Sequence, residues 1–281
     1  MVFDHPSRSF IGSGAGLPPQ APGHVDWTHM NALDRHYPLD AEQIAQFRRD
    51  GFIKLKEVFS AETLARFGGE ITRLTIELNT EHRPLEARNT YDRAFLQVMN
   101  LWEKSPLVGR FVMGQRLGRL AAELLGVDGV RLYHDQSLYK EPGGGITPAH
   151  ADQYYWPLAS DRCITAWVPL QAVPRDMGPL AFFAGSQHVE FGRDLGISDE
   201  SERAITANME AHGFPIVDEP FDLGEVSFHL GWTFHRAGPN RSQTPRSVMT
   251  MIYMDRDMRL KAPENQMQQA DRDSWCPGAK V

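Results

Sequence analysis

The segment TPAHADQYYW, residues 147–156, sets a histidine and an aspartate two apart, His150 and Asp152, ahead of a run of aromatics. With 11 His and 36 acidic residues in 281 positions, chance alone supplies about 1.4 His-x-acid pairs, and the chain holds three: His24/Asp26, His150/Asp152 and His188/Glu190. The pair is therefore not diagnostic by itself. Its setting separates it from the other two. His24/Asp26 lies in a Gly/Pro-rich arm with no strand to hold it, and His188/Glu190 follows the AGSQ turn as a solvated pair. Read as a strand, residues 147–156 turn His150, Asp152, Tyr154 and Trp156 to one face. That face offers an imidazole and a carboxylate, then aromatic walls.

A metal needs at least one more donor. Downstream, FHLGWTFHRAGPNRSQTPRSVMTMIY (residues 228–253) holds two candidates, His229 and His235. Arg246 opens the strand after the GPNRSQTP turn, eleven residues beyond His235, while Arg241 sits inside that turn. A guanidinium on rigid backbone beside two histidines and an aspartate suits a dicarboxylate, with one end on the metal and the other in a two-point pair with Arg246. Two His and one carboxylate make the facial triad of non-haem Fe(II) oxygenases, with three open positions.

Outward from this stretch, the chain divides by texture. Residues 1–38 read as an irregular N-terminal arm. Residues 39–128 read as mainly helical support. Asp40 with Gln43 forms a capping box ended by Gly51, and FIKLKEVF follows as a strand. Ser60 caps a helix whose stripe is Leu64, Phe67, Ile71, Leu74 and Leu78, with a double glycine in the middle. The spacing predicts one further helix from Ser105 to Gly126. Residues 129–260 read as closely spaced short strands, a sandwich or barrel, interrupted by an insertion at about 191–220 that serves as a variable loop or an active-site lid. Residues 261–281 read as a C-terminal tail. Helices first and strands after make the chain α+β within a single domain, 1–281.

A net charge of −7 argues against nucleic acid or an anionic membrane as the main partner. Two cysteines, Cys163 and Cys276, form no disulfide framework or CxxC pair. The N-terminus lacks a basic start followed by an apolar run, and no apolar stretch reaches the ~20 residues of a membrane span. These features lead to the expectation of a cytoplasmic protein.

Three blocks, TPAHADQYYW, TAWVPLQAVPRDMGPLAFFAGSQH and GEVSFHLGWTFHRAGPNRSQTPRSVMTMIY, resemble the phytanoyl-CoA dioxygenase family of Fe(II)/2-oxoglutarate oxygenases. The resemblance covers roughly residues 40–256. It implies a double-stranded β-helix (a cupin-like jelly-roll) with the N-terminal helices packed outside. It implies Fe(II), 2-oxoglutarate and O₂ as cofactor and cosubstrates, with iron on His150, Asp152 and His235. It gives Arg246 the distal carboxylate of 2-oxoglutarate, with Trp167, Thr147 and Lys140 beside it. Gln136 and Trp156 match pocket-lining positions, and Tyr154 and Gln97 are further candidates for contact with substrate. His229 is expected near the metal but not on it. The family often has a serine two residues after the distal histidine; here it is Ala237. The resemblance further implies that halogenases of the superfamily have Gly or Ala where this chain has Asp152. The expected activity is hydroxylation of an unactivated C–H in a small metabolite, as 2-oxoglutarate is decarboxylated to succinate. Desaturation, epoxidation or cyclisation on the same iron, and a non-catalytic jelly-roll, are the alternatives.

Overall fold

In the computed structural model of the chain, residues 32–275 are described. The capping box forms as its sequence predicts. The Asp40 carboxylate accepts the Gln43 N–H at 2.8 Å, and the Gln43 side chain accepts the Asp40 N–H at 2.9 Å. Helix α1, Ala41–Asp50, then ends at Gly51, whose φ of 77° suits a residue without a Cβ. Strand β1 is Phe52–Leu55, and helix α2 is Ala61–Leu78, capped by Ser60. The double glycine does not break α2, and Gly68 is buried against Leu170.

The helix expected from Ser105 to Gly126 is two helices, α4 (Pro106–Val112) and α5 (Gln115–Leu125). Gly114 between them is extended (ψ 134°), and a Cβ on it would meet Leu33 at 3.0 Å. Both helices bury their apolar faces in one core cluster, so the hydrophobic stripe continues across the break and conceals it. A short helix, α3 (Thr90–Ala94), and strand β2 (Leu96–Met99) precede them.

The strands that follow are β3 (Val130–Lys140), β4 (Thr147–His150), β5 (Cys163–Pro169), β6 (Leu180–Phe183), β7 (Ile216–Val217), β8 (Val226–Leu230), β9 (His235–Ala237) and β10 (Arg246–Asp255). They form two antiparallel sheets, ordered β1-β8-β5-β10-β3-β2 and β4-β9-β6-β7. From β3 onward the chain crosses between sheets at every connection except β6 to β7, which is the winding of a double-stranded β-helix. Period-two alternation sorts the side chains. Ile164, Ala166 and Val168 of β5 and Met249, Met251 and Tyr253 of β10 face the helices. Thr165, Trp167 and Thr250 face the interior of the roll and line its cavity. Phe52 and Phe182 stack across the sheets at 4.2 Å.

The insertion folds as helix α6 (Asp199–Ala211) behind the smaller sheet. Ile205 and Met209 are buried against Ala149, Phe183 and Phe234. Glu202 accepts the Ala149 N–H and pairs with Arg236, each at 2.7 Å. The helix is thus a buttress for β4 and β9, whereas Ile197 just before it reaches the cavity. The segment read as a tail contains helix α7 (Gln266–Trp275). Among the described residues, no helix is long and apolar enough to cross a membrane.

Candidate active site

Strands β4 and β9 place His150 and His235 as direct cross-strand partners, with ring centroids 4.3 Å apart. Each Nδ1 lies against a backbone carbonyl, Pro148 O at 2.6 Å and Thr233 O at 2.9 Å. A carbonyl only accepts, so the proton sits on Nδ1 and the Nε2 lone pair turns inward. Asp152 Oδ1 lies 3.5 Å from His150 Nε2 and 3.6 Å from His235 Nε2. Its Oδ2 accepts from Thr165 Oγ1 at 2.8 Å and contacts His229 Nε2 at 3.1 Å. One carboxylate oxygen is therefore held by the protein, and the other converges with two imidazole nitrogens within 4.8 Å.

The electrostatics suit a cation. Burial opposes the Asp152 charge, but His235, His150 and His229 around it hold its carboxyl well below the usual range. Burial, then His150, keeps His235 neutral. An ionised carboxylate beside a neutral imidazole is the protonation state that metal ligation requires. His229 approaches Asp152 but lies outside the three-donor cluster.

Tyr154 corrects the strand reading. The chain leaves β4 at His150 and enters a tight turn, Asp152–Tyr155, of about three residues per turn. The shared face is therefore lost beyond Asp152, and Tyr155 lines the cavity in place of Tyr154. The Tyr154 carbonyl instead accepts from Asn265 and Gln268, at 3.3 and 3.1 Å. Trp156 does line the cavity.

Arg246 opens β10 opposite Lys140 on β3 and is 2% exposed. Its Nη1 donates to Gly178 O, its guanidinium lies 5.4 Å from the Trp167 ring, and its Nε is buried with no partner. Lys140 Nζ donates to Gly145 O and lies 3.4 Å from Thr147 Oγ1. Among the described residues, no carboxylate comes within ion-pair distance of either cation. Burial pushes Arg246 down to about 9, and burial together with Arg246 depresses Lys140. Two buried cations with an orphaned donor call for an anion from outside the chain. Thr147, Trp167 and Arg246 reach the cavity wall, with Lys140 behind Thr147; Arg241 is exposed in its turn.

The cavity measures about 450 Å³. Gln136 and Gln97 line it. Sequence reading missed Tyr91, Phe95, Met99, Tyr155 and Ile197, and also Met267, Ala270, Asp271 and Ser274 of α7. His188 is exposed, while His24, Asp26 and Cys276 lie outside the described residues. Cys163 is buried, with Sγ 3.2 Å from Gln153 Oε1.

Gly178 ties the fold to this site. It has φ of +70°, and a Cβ on it would fall 2.2 Å from Gly238 O. Gly178→Ala is expected to lower stability by more than the ~0.4–1 kcal/mol that an unstrained Gly→Ala change would add, through left-handed strain and this clash. It should also shift the carbonyl that receives Arg246. Thermal unfolding of the two proteins side by side checks this; an unchanged Tm would refute it.

Three comparisons bear on this geometry. The family model for phytanoyl-CoA dioxygenase matches residues 47–248. An ectoine dioxygenase of Bordetella parapertussis is 26% identical over 249 residues, covering 80% of this chain and 79% of its own. The epimerase SnoN of nogalamycin biosynthesis, solved with Fe³⁺, α-ketoglutarate and nogalamycin RO, is 25% identical. It superposes with a TM-score of 0.71 over 85% of this chain and 91% of its own. EctD from S. alaskensis, solved with 2-oxoglutarate and 5-hydroxyectoine, superposes with a TM-score of 0.63 at 22% identity, over 82% of this chain and 83% of its own, and shares the fold. With the model matched over most of its length and the double-stranded β-helix in place, the chain belongs to the phytanoyl-CoA dioxygenase family.

Proposed function

We propose that this protein is an Fe(II)/2-oxoglutarate-dependent dioxygenase that hydroxylates an unactivated C–H of a small metabolite. The observation that carries the reading is one cavity holding both the three-donor cluster and the buried Arg246, which has no carboxylate partner among the described residues. Bound iron with 2-oxoglutarate and O₂ supplies the oxidising power for the C–H bond. The chain's own residues do the rest. His150, Asp152 and His235 offer Nε2, Oδ1 and Nε2 from one side, leaving the opposite side open. Thr165 and His229 hold Asp152 Oδ2 and so keep Oδ1 aimed at the metal. Arg246 takes the distal carboxylate of 2-oxoglutarate, with Thr147 and Lys140 adjacent and Trp167 as a wall. Gln136, Gln97 and Trp156 meet the substrate, and Tyr91, Phe95 and Tyr155 add apolar surface that excludes water. The relatives named for ectoine support a small-molecule substrate. We read the protein as cytoplasmic, consistent with its buried free thiol at Cys163.

The test has two parts. Anaerobic addition of Fe(II) and 2-oxoglutarate should produce a visible charge-transfer band. Under ¹⁸O₂, one labelled oxygen should enter succinate and the other the product, with the product's share diluted by any exchange with water. Unlabelled succinate overturns the reading. Because Asp152 fills the position a halide would need, added chloride or bromide should give no halogenated product.

A further inference from the structure

Among the described residues, the outer half of the cavity carries no Lys or Arg. Arg246, at the inner end, is the one Lys or Arg among the described lining residues. At the outer end, burial pushes His134 down to about 4, leaving a neutral imidazole. Asp271 of α7 brings a carboxylate to the wall, and it accepts from the Tyr133 hydroxyl. An anionic substrate would lose its hydration here and gain no counter-charge.

A polar relay on the same wall has a fixed direction. The half-buried Tyr91 hydroxyl donates to Gln97 Oε1 at 2.7 Å. Burial pushes Tyr91 up to about 12, so the phenol keeps its proton and needs an acceptor. That need turns the Gln97 carbonyl toward Tyr91 and its NH₂ toward Gln136. Gln97 Nε2 then donates to Gln136 Oε1 at 2.5 Å. One lone pair of Gln136 Oε1 is thereby engaged and that end of the amide is turned toward Gln97, while its Nε2, with two N–H groups, has no partner among the described residues.

Resting on the oxygenase reading of this site, we infer that the substrate is a small non-anionic molecule presenting a carbonyl, hydroxyl or ether oxygen to the Gln136 amide. Gln97 is a positioning residue: it decides which end of the Gln136 amide the substrate meets. Phosphate esters, CoA thioesters and carboxylates are the wrong chemistry for this wall. Trp156 and Phe95 supply the apolar surface against which the rest of the molecule lies.

The experiment uses the full chain loaded with Zn(II) and 2-oxoglutarate, which binds ligands without turnover. Three probes are compared by saturation-transfer NMR: cyclohexanone (an acceptor), cyclohexanecarboxylate (an anion) and pyrrole (a donor). Cyclohexanone should bind better than both of the others. Gln136→Leu should weaken cyclohexanone roughly three- to tenfold, the worth of one neutral hydrogen bond. Gln97→Leu frees Gln136 Oε1, so pyrrole should gain on cyclohexanone while the cavity stays intact. A relay that served only packing would not change that ratio. Cyclohexanecarboxylate binding best, or a ketone-to-pyrrole ratio unchanged in Gln97→Leu, overturns the inference. Calorimetry of 2-oxoglutarate on the wild-type Zn(II) protein separates the two readings, because a failure there refutes the oxygenase assignment rather than the substrate class.

Discussion

Asp152→Ala is expected to strip the protein of iron and abolish turnover. Three side chains offer the donor atoms, and Asp152 is the single anion among them. Without it, a divalent cation would face two neutral imidazoles in a buried pocket. Loss of an outer partner of a metal ligand costs roughly 10- to 100-fold in affinity. Loss of the ligand itself should exceed that, and His150→Ala and His235→Ala should behave alike. His229→Ala provides the contrast: it removes one of two contacts to Asp152 Oδ2, so affinity should fall within that 10- to 100-fold window while the metal is retained. Metal analysis of the purified variants, followed by Co(II) titration, reads both effects. Iron retained at the wild-type level in Asp152→Ala would sink the ligand assignment. An empty His229→Ala beside a full His235→Ala would make His229 the distal ligand.

Arg246→Lys is expected to raise the 2-oxoglutarate requirement by roughly 10- to 100-fold, from the loss of one or more charge-assisted hydrogen bonds. Lysine keeps the charge but not the planar two-point contact. It would also put a second ammonium group beside Lys140. Arg241→Lys, exposed in the preceding turn, should leave the requirement unchanged. The apparent KM for 2-oxoglutarate, with its affinity for the Zn(II) protein, measures this; equal effects from the two substitutions would refute the assignment.

The parts of the site legible in the sequence are those carried by strands and their turns. The His150/Asp152 spacing, the eleven residues from His235 to Arg246 and the flanking blocks all lie in the β-rich part of the chain, where local pattern and tertiary position agree. Legibility failed where the chain departed from strand geometry. Tyr154 and Tyr155 exchanged roles because a tight turn begins at Asp152, and nothing in ADQYYW announces it. The two helices of residues 106–125 read as one because both bury the same stripe. Tyr91 and the residues of α7 were missed for a different reason. They come from short helices far from the motif, and only the closed roll brings them to the wall. The insertion showed its length but not its side: Ile205 and Met209 direct it to the back of β4.

The turn that begins at Asp152 has a consequence for how such a catalyst can diversify. His150 and His235 belong to one antiparallel ladder, so replacing their backbone geometry would unpick a sheet. Asp152 lies just past the end of that ladder and is tied to the larger sheet through its carboxylate alone, by Thr165 of β5 and His229 of β8. The centre is thus two posts set in a sheet and one arm held by side-chain contacts. A lineage built on it can trial new reactivity at a single codon at the cost of those two contacts, with the strand pairing left in place.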